Sequence, residues 1–121
     1  MAEHIDLGKS GEAFARKHLE DNGYEILEVN WRFQRAEVDI IAKDGAVLVF
    51  IEVKSRSTSS WGPPEQSISP KKRMLLADAA SRYMELIHHE WEIRFDVISV
   101  IIHQDTLQSI EHHKDSFFPG W

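Results

Sequence analysis

Residues 36–56 read AEVDIIAKDGAVLVFIEVKSR, two β-prone runs on either side of Asp44-Gly45, with Asp39, Glu52 and Lys54 set among apolar residues. Asp-Gly between such runs is a strong short-range hairpin signal, because a two-residue loop needs positive φ and glycine accepts it freely. With Asp44-Gly45 as the loop, Lys43 pairs with Ala46, Ile41 lies opposite Leu48, Asp39 opposite Phe50 and Glu37 opposite Glu52. Side chains alternate along a strand, so these residues and Lys54 share one face, while Val38, Ile40, Val47, Val49, Ile51 and Val53 fill the other. Asp39 and Glu52 are then diagonal neighbours, with β-carbons within about 7–8 Å. Two carboxylates that close repel unless a cation lies between them, and oxygen donors suit Mg²⁺ or Mn²⁺ rather than zinc. Lys54 beside them can orient a water or stabilise charge developing on a phosphate. Such a set suits phosphodiester hydrolysis.

Composition bounds the rest. A chain of 121 residues, 42% hydrophobic, holds one core and too little for two, so residues 1–121 are expected to form a single domain. No apolar run approaches the roughly 18 residues of a membrane span, and the N-terminus lacks the basic-then-apolar order of a signal peptide; a cytoplasmic protein with no membrane association is expected. The absence of cysteine excludes disulfides and thiolate metal sites. A net charge of −6 opposes phosphate binding, yet from Lys54 to Arg73 five basic residues face one acid, Glu65, so charge is expected to segregate into patches.

In chain order, residues 7–22 carry apolar or small residues at helical spacing and end at Asn22-Gly23, a good helix stop. Glu12 on this helix is either an additional acidic ligand reaching the sheet or a first-turn acid complementing the helix dipole. Residues 24–31 read as a first strand. The connection through Trp31, Arg32, Phe33, Gln34 and Arg35 either contacts a nucleic-acid backbone or is a solvated turn with a half-buried Trp31. The strand 46–55 is apolar on both faces, as a central strand should be. A Ser/Gly/Pro-rich loop follows, residues 57–67, with Gln66 at its end able to bind a phosphate or water. The second helix spans residues 69–88, with Ser69 as N-cap and Pro70 first. Lys71, Lys72 and Arg73 in its first turn oppose the dipole, so something else must favour them; a phosphate at the helix start would do so. Residues 93–103 form another apolar strand, and strand, helix, strand favours a parallel pair with a right-handed crossover. Asp96 within it pairs with Arg94 or Lys54 or supports the acidic site from behind, and of these a structural role is the favoured reading. Residues 105–112 turn back as a short edge strand. The adjacent pairs His88-His89 and His112-His113 read as surface residues. Phe117, Phe118 and Trp121 offer apolar surface to the chain's own core or to a second copy in a homodimer.

Asp39, twelve intervening residues and then Glu52-Val53-Lys54 resembles the signature of the PD-(D/E)xK nuclease superfamily. The wider pattern extends the likeness over nearly the whole chain: Gly11-Glu12, Gly23-Tyr24, Asn30-Trp31-Arg32, Ala36-Glu37-Val38-Asp39, Phe50-Ile51-Glu52-Val53-Lys54, Arg56, the Lys71-Lys72-Arg73 helix start, and Arg94-Phe95-Asp96-Val97. Together these resemble the YraN-like family of small bacterial proteins, related in pattern to archaeal Holliday junction resolvases. The resemblance implies an α/β restriction-endonuclease-like core, in which an antiparallel meander plus a parallel strand after a crossover helix make a mixed sheet flanked by helices. It implies that Asp39, Glu52, Glu12 and the Val53 carbonyl hold Mg²⁺ or Mn²⁺, that Lys54 serves the attacking water, and that the substrate is DNA, branched or Holliday junction DNA included. Arg32, Arg35, Arg56, Gln66, Lys71, Lys72 and Arg73 would bind that DNA. Val38 stands where the superfamily nominally has Pro, and Ala36 where the YraN-like pattern usually has Gly; both positions tolerate the change in backbone. The competing reading is a non-catalytic nucleic-acid-binding or scaffold protein that keeps the nuclease fold.

Overall fold

The hairpin turns at Gly45-Ala46 in the computed structural model, which describes residues 7–57 and 68–117. Gly45 has φ +62°, and a glycine at the first central position is what a type II′ turn requires. Asp44 therefore pairs with Val47, Ile41 with Phe50 and Ile40 with Ile51. The expected register is corrected by two residues, an even shift that keeps residues expected on one face of the paired stretch in phase.

The elements are α1 (Leu7–Asp21), β1 (Glu25–Phe33), β2 (Ala36–Asp44), β3 (Val47–Arg56), α2 (Pro70–Ile87), β4 (Ile93–His103) and β5 (Thr106–His113). The five strands form one sheet in the order β1-β2-β3-β4-β5. Only β3 and β4 run parallel; the other three pairs are antiparallel. This is the mixed α/β sheet with two flanking helices that the element order implied. Leu48–Ile51 lies between β2 and β4 and is buried on both faces, which explains its lack of alternation.

Each helix covers one face. Ala15 and Leu19 of α1 pack with Ile40, Ala42, Val49, Ile51, Ile98 and Val100. Leu76, Ala79, Ala80 and Tyr83 of α2 pack with Ile41, Leu48, Phe50, Phe95 and Val97. Gly11 lets α1 approach β3 closely, since a β-carbon there would overlap the Ser55 hydroxyl. Ser69 caps α2 by accepting the Lys72 N–H at 3.2 Å, with Pro70 in the first turn. Phe117 is buried against Phe95, so this part of the apolar tail belongs to the chain's own core. Phe118 and Trp121 lie outside the described residues, as do residues 58–67. Among the described residues no helix is long and apolar enough to cross a membrane.

Val38 departs from simple alternation. Val38 and Ile40 were expected on one face, but Val38 joins the α2 cluster and Ile40 the α1 cluster. Opposite this point, between the pairs Val29–Ile40 and Trp31–Val38, Asn30 takes φ +53°, a left-handed conformation that asparagine tolerates. Trp31 accordingly turns into the α2 side, edge-on to the Tyr83 ring, rather than standing in a solvated turn.

Candidate active site

The sheet splays where the acidic residues lie. Pairing of β2 with β3 stops at Ile40–Ile51, although β2 begins at Ala36 and β3 runs on to Arg56. Asp39 and Glu52 are the next residues beyond the last pair. Asp39 spans the opening: its Oδ2 accepts the Val53 N–H at 2.8 Å, taking the place of a main-chain acceptor. Glu52 is 3% exposed, and its Oε2 lies 3.1 Å from the Lys72 ammonium at the start of α2. Among the described residues its Oε1 is buried with no hydrogen-bond partner.

This placement sets the charge states. Burial, reinforced by the Asp39 charge, pushes the Glu52 carboxyl up to about 7, and Lys72 only partly offsets it. Asp39 offers acceptors alone when ionised, so Glu52 can meet it favourably only with a proton or a cation between them. Burial also pulls the Lys54 ammonium below the ordinary lysine range, with Lys72 and Arg56 acting in the same direction and Glu52 and Asp39 against it. Asp39, Glu52, Lys54 and Lys72 thus form one interacting group.

A cleft of about 360 Å³ opens over Asp39, Glu52 and Lys72, lined also by Glu37, Arg35, Ser69, Lys71 and the apolar Ala36, Leu75 and Leu76; Lys54 is not part of its lining. The donor set fits a hard divalent cation: two carboxylates, one with a bare buried oxygen, need positive charge. Magnesium commonly takes one or two protein carboxylates and completes its shell with water and substrate phosphate. Among the described residues no three of His, Cys, Asp or Glu gather closely enough to hold a metal. Glu12, the further acid expected at the metal, lies on α1. It follows Gly11 on α1, which packs at Ser55 on the sheet face opposite α2.

The basic candidates divide. Arg35 and Lys71 line the cleft. Lys72, expected at a phosphate, is paired with Glu52 instead. Arg73 turns back, donating to the Ile68 carbonyl at 3.2 Å and lying over the Phe117 ring. Arg32 is exposed and bonded to Glu37 at 2.8 Å. Arg56 ends β3 beyond Lys54, and Gln66 lies outside the described residues. The broken dipole rule at the start of α2 was the signal for Lys72, and Glu52 supplies the missing anion.

Two histidines read as surface residues are not. His89 is 6% exposed and bonds the Glu92 carbonyl. His112 bonds Asp96 at 2.7 Å. Asp96, fully buried, also takes two bonds from Arg94 and the Asp115 N–H, while Arg94 reaches Asp44 and the Tyr24 hydroxyl. Burial raises the Asp96 carboxyl, but the bonds from His112, Arg94 and Asp115 outweigh it and hold the pKa below its ordinary value. This network sits on the α1 side, with the His112 ring edge-on to His18, away from the cleft.

Relatives match end to end. The chain is 47% identical to a UPF0102 protein of Christiangramia forsetii, with 98% of each chain covered. It is 45% identical to one of Flavobacterium psychrophilum at the same coverage. A Thermodesulfovibrio yellowstonii relative is 42% identical over 94% of this chain and 97% of that one. Among solved structures it is similar to Pyrococcus furiosus SfsA in complex with Ca²⁺, with TM-score 0.35 and 14% identity, covering 91% of this chain and 64% of that one. Residues 11–100 match the uncharacterised protein family UPF0102, and with these relatives the chain belongs to that family, the YraN-like family of the restriction-endonuclease-like superfamily that its motifs resemble.

Proposed function

We propose that the protein is a Mg²⁺- or Mn²⁺-dependent endonuclease that hydrolyses phosphodiester bonds in DNA, branched DNA included. The observation that carries this reading is Glu52, a buried carboxylate with one bare oxygen, facing Asp39 at the splayed end of β2 and β3 in a cleft edged by Arg35 and Lys71. Asp39 and Glu52, with the Val53 main-chain carbonyl, would hold the cation. When bound, it supplies charge neutralisation and polarises a phosphoryl oxygen.

The chain's own groups do the rest. Arg35 and Lys71 hold the phosphate backbone by charge-assisted hydrogen bonds. Lys54, its ammonium half-buried beside Glu52 and Asp39, orients the attacking water and stabilises the negative charge that develops on the phosphate, while the water's proton passes to solvent. Water's oxygen bonds to phosphorus, the bond to the leaving sugar oxygen breaks, and that oxygen takes a proton from solvent.

The test is a panel of linear, nicked, flapped and four-way-junction DNA incubated with Mg²⁺, Mn²⁺ or EDTA. Cutting with metal alone, reduced at least about a hundredfold in both Asp39→Asn and Lys54→Ala, is the expected result. Cutting unchanged in both variants would remove the mechanism. Binding without cutting would favour the non-catalytic reading, for which the occupation of Glu52 by Lys72 speaks.

A further inference from the structure

Lys72 and a cation have a claim on the same carboxylate. The Lys72 ammonium sits 3.1 Å from Glu52 Oε2, and the Glu52 side chain is only 4% exposed while that of Lys72 is 39% exposed. A carboxylate so deep cannot stay unneutralised without large cost. Lys72 neutralises it incompletely, since Oε1 is left without a partner among the described residues. Its own position is also unfavourable, because it carries positive charge into the first turn of α2, at the positive end of the helix dipole. The backbone of that turn is fixed by Ser69, which bonds the Lys72 N–H, whereas the four-carbon stem is free to swing.

From this geometry we propose that Lys72 is a displaceable placeholder: it occupies Glu52 in the metal-free protein, competes with the divalent cation for that carboxylate, and swings into the cleft beside Lys71 once displaced. This rests on the cation-binding reading given above. A divalent ion on Glu52 and an ammonium 3.1 Å from the same oxygen would repel each other across a poorly hydrated gap, so the two states exclude one another. Binding of metal then does two things. It completes the carboxylate pair, and it turns the charge of Lys72 towards a phosphate. The same lysine keeps the buried acid neutralised when no metal is present.

Calorimetric titration of Mn²⁺ into the wild type, Lys72→Met and Lys17→Met tests this. Methionine keeps the apolar stem and removes the competitor, so Lys72→Met should bind Mn²⁺ about tenfold more tightly, which corresponds to ~1.4 kcal/mol. Lys17→Met, which removes an exposed lysine paired with Asp21 on α1, across the sheet from the cleft, should stay within about twofold, well under that tenfold step. Metal affinity that is unchanged or weaker in Lys72→Met overturns the placeholder while leaving the nuclease reading intact. Absence of binding to both wild type and Lys72→Met overturns both. Should Lys72→Met fold poorly, lysine-selective NMR of the wild type decides instead. The slowly exchanging Lys72 ammonium signal seen in EDTA should vanish at saturating Mg²⁺, and its persistence there would refute displacement.

Discussion

With its carboxyl pushed up to about 7 from an ordinary 4.5, Glu52 links folding to pH in the sense opposite to most acids. Between these values the folded protein holds a proton that the unfolded chain has released, so stability falls as pH rises through the window. In urea titrations without metal, the wild type should lose stability between pH 4.5 and about 7 relative to Glu52→Gln, whose uncharged amide has nothing to titrate. Parallel curves for the two proteins would show that Glu52 is not the titrating group. Mn²⁺ should restore wild-type stability most at the alkaline end, where binding needs no proton to be expelled. That these residues would meet was legible, because the two-residue error in hairpin register kept Asp39, Glu52 and Lys54 in phase; a one-residue error would have parted them. That Lys72 would bond Glu52 was legible only as a charge in the wrong place, since nothing in a sequence gives the position of a helix over a sheet.

At the level of elements, the cleft exists because two strands separate and two helices approach from opposite sides. Alternation fixed most of the faces, and the edge strand β5 and the cap and proline of α2 were readable from local chemistry. The inversion at Val38 was not, because strict alternation assumes a regular strand and nothing in the local sequence marks the departure from it. Nor was the burial of His112, whose partner Asp96 is 16 residues away across an unpredicted register. The approach of α1 to β3 is more constrained than either. A β-carbon on Gly11 would come within 2.9 Å of the Ser55 β-carbon as well as overlapping its hydroxyl. Gly11→Ala should therefore lower stability by about 1–3 kcal/mol despite alanine's better helix propensity. Ser55→Gly in the same chain should recover much of that loss, and a double-mutant cycle by chemical denaturation would measure the coupling. Additive effects of the two changes would mean that the helix relaxes away from β3 without penalty.

Across the whole molecule, the Asp96 network fastens parts of the chain that the apolar clusters touch only from one side. Arg94 and Asp96 on β4 reach Asp44 at the hairpin, Tyr24 before β1, His112 on β5 and the Asp115 main chain after it. Removing the central carboxylate therefore strips two bonds from Arg94, leaving it Asp44 as its remaining carboxylate, and takes from the His112 ring and the Asp115 N–H the buried oxygens they bond. Breaking such a group from one side costs about 3–5 kcal/mol, far more than the net worth of the intact group. Asp96→Asn should therefore be severely destabilised, and on acidification the wild type should lose the same contribution, since a depressed carboxyl pKa stabilises above its ordinary 3.8 and ceases to as pH falls through the folded value. The location of the network separates this effect from function. Asp96 pairs in register with Ile51, whose side chain belongs to the α1 cluster, whereas Glu52 beside it is bonded to Lys72 on α2. In the fraction of Asp96→Asn that stays folded in the cold, Mn²⁺ affinity should match the wild type within about twofold, well inside the tenfold step of 1.4 kcal/mol. Metal affinity lost in step with stability would instead make β3 a rigid coupler between its two faces, and would join the network to the cleft.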